Sequence, residues 1–182
     1  MASGIGDARV SRRFPEISDE QWRTFVADIA EALELREGDR VFEVECGPGG
    51  FLLPLYEAGC VVGGSDSDPR LIDMARRDMP RGEWSVADVG TLDASTPWDV
   101  VIACSILDAS WTLSDGVDMM EKMVRHAAAA VAILDVPSGL PFDERWFLRS
   151  LSALGAASVG LPALRIAECD SAGRFNVIAR LR

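Results

Sequence analysis

The chain has 182 residues, 48% of them apolar and 26% charged, which is the composition of an ordinary globular domain long enough to bury a sizeable core. Its formal net charge of −11 argues against a nucleic-acid substrate and an anionic membrane surface, both of which need a basic face. No apolar run approaches the roughly 20 residues of a membrane span, the first residues lack the apolar core of a signal peptide, and a single histidine leaves no metal-ligand cluster. Cys46, Cys60, Cys104 and Cys169 are dispersed, and three of them sit in or beside apolar runs. They read as small buried thiols in a reducing cytoplasm rather than as disulfides.

Residues 1–17 are polar and glycine-bearing and are expected to be mobile, with one domain over 18–182. Ser18 and Gln21 form a capping box, and Trp22, Phe25, Val26, Ile29 and Leu33 recur at helical spacing, so a helix runs to about Leu35. A first strand is expected over Val41 to Cys46 and a helix over Gly50 to Ala58. Pro54 inside that helix costs a hydrogen bond unless it falls in the first turn. Val61 to Gly64 is the second strand. Asp68 and Pro69 then supply an N-cap and a first helical position, and that helix runs to Asp78. On it, Arg70, Arg76, Arg77 and the following Arg81 alternate with Asp73 and Asp78, which marks a solvated mixed-charge face.

Glu83 to Ala87 is the third strand, and Val100 to Cys104 is a continuous apolar run suited to a central parallel strand. Ser114 or Asp115 is expected to cap a helix carrying Val117, Met120, Val124 and Ala127, with Met119, Met120 and Met123 in the core. Ala130 to Val136 is the fifth strand and Phe142 to Leu154 the last helix. Leu164 to Cys169 and Phe175 to Leu181 read as an antiparallel hairpin. Strands alternating with helices predict an α/β fold. Its three layers form around a doubly wound, mostly parallel sheet of seven strands, with an antiparallel C-terminal hairpin.

The stretch from Val41 to Asp66 is the most informative. An apolar strand meets glycines at Gly47, Gly49 and Gly50, a helix follows, and a second strand ends on Asp66. Glycine lets the backbone approach a ligand closely, the helix directs its free N–H groups to the same place, and an acid about 20 residues on accepts from ribose hydroxyls. A nucleoside-containing cofactor is implied. The dinucleotide pattern G-x-G-x-x-G fits poorly, because Leu52 stands where its third glycine belongs.

Glu43-Val44-Glu45-Cys46-Gly47-Pro48-Gly49 resembles the first motif of the class I S-adenosylmethionine-dependent methyltransferases. Trp84 to Val89 resembles that family's third strand ending on an acid, and Trp98 to Cys104 its fourth strand after an aromatic–Asp pair. The resemblance runs from about Asp39 to Val136 and implies S-adenosylmethionine as cofactor and S-adenosylhomocysteine as product. It also implies that Glu43, Glu45, Gly47 and Gly49 lie around the methionine portion, with Asp66 and Ser67 at the ribose and Asp88 and Val89 at the adenine. Cys104 and Ser105 fall at the floor of the same crevice. The family has glycine where this chain has Glu45. A carboxylate there either accepts from the cofactor ammonium or repels its carboxylate.

The implied reaction is methyl transfer to a small-molecule acceptor, the atom methylated being open. The alternative is a non-catalytic or repurposed domain, a scaffold or a cyclase, with its cofactor site altered at Glu45. The loop after the fourth strand is where this family faces its acceptor. There Asp108 is the candidate base and Trp111 a stacking surface, and both equally suit loop packing. His126, at the end of a helix remote from the strand carboxyl ends, suits the helix dipole better than catalysis. The helix bearing Trp22 and Phe25 is the only evident lid and makes Trp22 a candidate acceptor contact. So thin a cover leaves room for a homodimer to close the site. No metal, nucleic-acid or membrane partner is expected.

Overall fold

The computed structural model describes residues 17–88, 97–163 and 173–182. Along the chain these form α1 (Asp19–Ala32), β1 (Arg40–Val44), α2 (Leu52–Glu57), β2 (Val61–Asp66), α3 (Pro69–Asp78) and β3 (Glu83–Val86). Then come β4 (Trp98–Cys104), α4 (Leu113–His126), β5 (Ala127–Pro137), α5 (Glu144–Ala153), β6 (Ser158–Gly160) and β7 (Arg174–Arg180). The expected mobile segment, apart from Ile17, lies outside the described residues, as do Val89 and Cys169.

The seven strands form one sheet in the order β3-β2-β1-β4-β5-β7-β6. All pairs are parallel except β5–β7 and β6–β7. The antiparallel partner of β7 is therefore Ser158–Gly160. The stretch Leu164 to Cys169, read as the first arm of the hairpin, lies outside the described residues, and the antiparallel partner seen beside β7 at the sheet edge is β6. The order reverses between β1 and β4, and the crevice at their carboxyl ends is where such sheets bind ligands.

The core has two halves, one on each face of the sheet. On one, Trp22, Phe25 and Ile29 of α1, Leu52 and Leu55 of α2 and Ile72 of α3 pack on Val41, Val100 and Ile102. On the other, Met119, Met120 and Met123 of α4 and Phe147 and Leu151 of α5 pack on Phe42, Val44 and Val101. The methionines are core residues, as expected. The cap of α4 is Thr112, whose side chain accepts from the Asp115 N–H while the Asp115 side chain accepts in return. This corrects the expected cap by two or three positions.

Long-range contacts hold both ends of α1. Pro54 lies at the third residue of α2, so it has no N–H to give to the Gly50 carbonyl one turn back. The indole N–H of Trp22 donates to that carbonyl instead, at 2.9 Å in a buried setting. Trp22 is only 6% exposed and packs edge-on against Phe51. It is thus buried beneath the glycine turn, its indole N–H bound to the turn's backbone. At the other end, α1 has no basic residue in its last turn. Arg180 of β7 supplies the missing charge: its guanidinium donates to the Leu33 and Ala32 carbonyls at 2.9 and 2.7 Å.

Candidate cofactor and acceptor site

β1 ends where Glu45 turns the chain with φ +52°, a left-handed conformation that glycine adopts freely and other residues adopt at a cost of about 1–2 kcal/mol. Gly47 follows at φ +56°, and a side chain there would meet nothing within 4 Å. Gly49, at φ +83°, differs, because the room its side chain would need is filled by Met79 and Trp84. Gly49 is thus fixed by packing under α3 and β3, while Gly47 presents open backbone to the crevice.

Asp66 ties this turn to the end of β2. Its Oδ2 accepts from the Gly47 N–H and its Oδ1 from the Asp68 N–H, both at 2.8 Å. Each oxygen gives one acceptor site to the backbone and retains another, since a carboxylate offers roughly four in all. The arrangement fits a pair of ribose hydroxyls. Beneath it, Glu43 is 4% exposed and its Oε2 has no hydrogen-bond partner among the described residues. Burial, and then the nearby Asp66 charge, hold its carboxyl well above the usual range. Burial likewise pushes the Cys46 thiol far up, with Glu43 and Asp66 adding to it. The Ser65 hydroxyl is another buried polar group without a partner among the described residues. Ser67 and Asp88 are exposed at the ends of β2 and β3, on the same rim.

Across the reversal point lie Cys104 and Ser105. Ser105 is at φ +57°, and its N–H donates to the Leu134 carbonyl at 3.0 Å. Its hydroxyl donates to Asp135 Oδ2 at 2.6 Å. Asp135, also at φ +57°, sits where the β5–β7 register shifts between Ile133 and Val136. The Arg174 guanidinium donates from Nη1 to Asp135 Oδ2 at 2.7 Å and to its carbonyl at 2.9 Å. The Asp135 N–H donates to Asn176 Oδ1 at 2.9 Å. The sequence reading missed Asp135, Arg174 and Asn176. The signal was present: Asp135 is an acid near the carboxyl end of an apolar strand, the pattern that identified Asp66 and Asp88.

The loop beyond β4 has structural duties. Asp108 Oδ1 accepts from the Ser110 N–H at 2.8 Å and from its hydroxyl, and Trp111 packs at the edge of the α4–α5 core. Glu43, Glu45, Gly47 and Asp66 thus come together, with Ser105 across the crevice. Trp22 is buried against the glycine turn at Gly50, and Asp108 is exposed on the loop. No helix among the described residues is long and apolar enough to cross a membrane.

The strand order, the antiparallel last strands and the glycine turn with its second-strand acid define a Rossmann-like fold of the methyltransferase type. No family model matches the chain. It is 26% identical over 135 residues to a trans-aconitate 2-methyltransferase of Azoarcus sp. (strain BH72), covering 73% of this chain and 51% of the relative. It is 30% identical over 144 residues to the Methylobacterium nodulans protein of the same name, covering 77% and 54%. The chain thus spans about half the length of these curated relatives. A SAM-bound amino pentose methyltransferase from Micromonospora echinaspora has the same fold, with a TM-score of 0.75 at 15% identity over 100% of this chain and 98% of that one. In sequence the chain is similar to these methyltransferases, and in fold to S-adenosylmethionine-dependent methyltransferases of class I.

Proposed function

We propose that this chain transfers a methyl group from S-adenosylmethionine to a small-molecule acceptor. The observation that carries the reading is the Asp66 carboxylate bonded to the Gly47 N–H at 2.8 Å, which sets a strand-end acid against an open glycine turn at the point where the strand order reverses. Asp66 would hold the ribose hydroxyls, Gly47 would pass the methionine portion, and Asp88 would meet the adenine edge. The bound cofactor supplies an activated methyl group, and the protein's task is to hold the acceptor in line with it. The net charge of −11 favours a small acceptor over a nucleic acid. Trans-aconitate, on which the named relatives act, is the first acceptor to try.

Glu45 is the observation that favours a second reading, a domain of this fold without methyl transfer. Its backbone keeps the left-handed path of a glycine, but its side chain adds a carboxylate beside the methionine position. Calorimetric titration with S-adenosylmethionine and S-adenosylhomocysteine, with NADH as control, separates the two. Micromolar binding of the first two, about −8 kcal/mol, with no NADH binding, is the expected result. Failure of the natural chain to bind, with recovery in Glu45→Gly, would establish the second reading instead.

A further inference from the structure

We infer that Arg174 forms an acceptor subsite that takes a carboxylate. The inference rests on the methyltransferase reading for its place in the reaction, but not for its geometry. The glycine turn and Asp66 occupy the β1–β2 side of the crevice. The other side is built from the carboxyl ends of β4 and β5 and from the start of β7, which enters the sheet antiparallel. On that side Ser105, which directly follows β4, Asp135 of β5, and Arg174 and Asn176 of β7 form one hydrogen-bonded network.

The network has a buried end and an open one. The Asp135 side chain is 6% exposed and the Arg174 side chain 31%. Asp135 holds the guanidinium through Nη1 alone, by its carboxylate and its carbonyl together. Among the described residues nothing engages Nη2 or Nε, the pair of donors on the adjacent edge of the planar fork. A guanidinium pinned along one edge and open along the next matches the two oxygens of a carboxylate. Because it is pinned beforehand, a ligand need not order it. An acidic protein repels anionic ligands at a distance, so a carboxylate acceptor requires such a local cation.

Two strained residues support a functional role. Ser105 and Asp135 both hold φ near +57° without being glycine, side by side across β4 and β5. Strain of this kind persists where surroundings over-determine it, and it clusters at binding and catalytic sites. A fold seeking stability alone gains little from a buried ion pair over apolar packing of similar volume. The bulge and the strain are what set Asp135 under Arg174.

The test uses the full chain saturated with S-adenosylhomocysteine, titrated calorimetrically with trans-aconitate and with its uncharged trimethyl ester. The acid should bind and the ester should not. Arg174→Gln should weaken the acid by about tenfold or more, and Arg174→Lys, which keeps the charge but loses the fork, should fall between. Affinity for S-adenosylhomocysteine should stay within about twofold throughout. If Arg174→Gln melts early, Asp135→Asn with Arg174→Gln removes both charges and carries the same test. Equal binding of acid and ester, no binding of the acid, or an unchanged affinity in Arg174→Gln overturns the inference. If S-adenosylhomocysteine itself fails to bind, the methyltransferase reading fails separately, and the acid titration of the free protein still decides the role of Arg174.

Discussion

Removing the Trp22 indole N–H should be costly because of a proline 32 positions further along. In an uninterrupted helix the residue at position 54 would donate to the Gly50 carbonyl. Pro54 cannot, and Trp22 takes its place at 2.9 Å. Trp22→Phe therefore leaves a buried carbonyl without a partner, a penalty of about 1–3 kcal/mol, and also loses ring area against Phe25 and Phe51. The area loss does not depend on residue 54, but the carbonyl penalty does. In Pro54→Ala the new N–H reaches Gly50, whose carbonyl has two lone pairs, so the same Trp22→Phe change should cost about 1–2 kcal/mol less. Urea unfolding of the four proteins measures this coupling from midpoints at constant slope. Each kcal/mol should also move the melting temperature by about 2–4 °C in a domain of this size. A coupling near zero would refute the argument and leave Trp22 as a packing residue alone.

Glu43 gives a pH signature. Its carboxyl is raised by burial, so the native state holds its proton above the ordinary glutamate value of about 4.3. Stability from this group is therefore full below that value and is lost as pH rises through the raised native one. Urea midpoints of Glu43→Gln and the natural chain should coincide near pH 4. They should then diverge in favour of Glu43→Gln, by at most about 1.4 kcal/mol per pH unit, until the native value is passed. A natural chain that gains on the variant with rising pH would mean that Glu43 is paired as an anion. At Glu45, φ +52° reverses the usual ranking of alanine over glycine. Relief of about 1–2 kcal/mol of strain exceeds the roughly 0.5–1 kcal/mol entropic cost of glycine, so Glu45→Gly should unfold at higher urea than Glu45→Ala. Equal midpoints, or the opposite order, would count against a strained turn.

Local rules carried most of the fold. The capping box at Ser18, the Asp68–Pro69 helix start and the buried run of β4 depend on neighbours in sequence, and each is found where its residues are. That Gly47 and Asp66 lie in one crevice was legible for the same reason, since a strand, a turn and a helix fix the spacing between them, whereas the hydrogen bond that joins them was not. What was not legible depends on long-range contact. Trp22 looks like a lid residue until Pro54 shows why its N–H is needed 28 residues away. β6 is three residues long, too short for any periodicity, and exists because β7 offers it an edge. The Arg174–Asp135 pair joins residues 39 apart through a bulge that no pattern announces, so a subsite built on it had no motif. The packing of Met79 and Trp84 against Gly49 was likewise not legible, because both lie some 30 residues or more away in sequence.

The capping of α1 by Arg180 bears on how the chain is made. The contact spans 147 residues, and β7, which provides it, is an interior strand wedged between β5 and β6. During synthesis α1 leaves the ribosome before β7, so its last carbonyls gain their partner only after β7 has emerged. At roughly 5–20 residues per second, that interval is on the order of ten seconds or more. Through it, the apolar face of α1 lacks a finished sheet, and β5 shows a bare edge where β7 will lie. Until β7 pairs, the edge of β5 is a template open to other strands, and β7 is the strand that closes it.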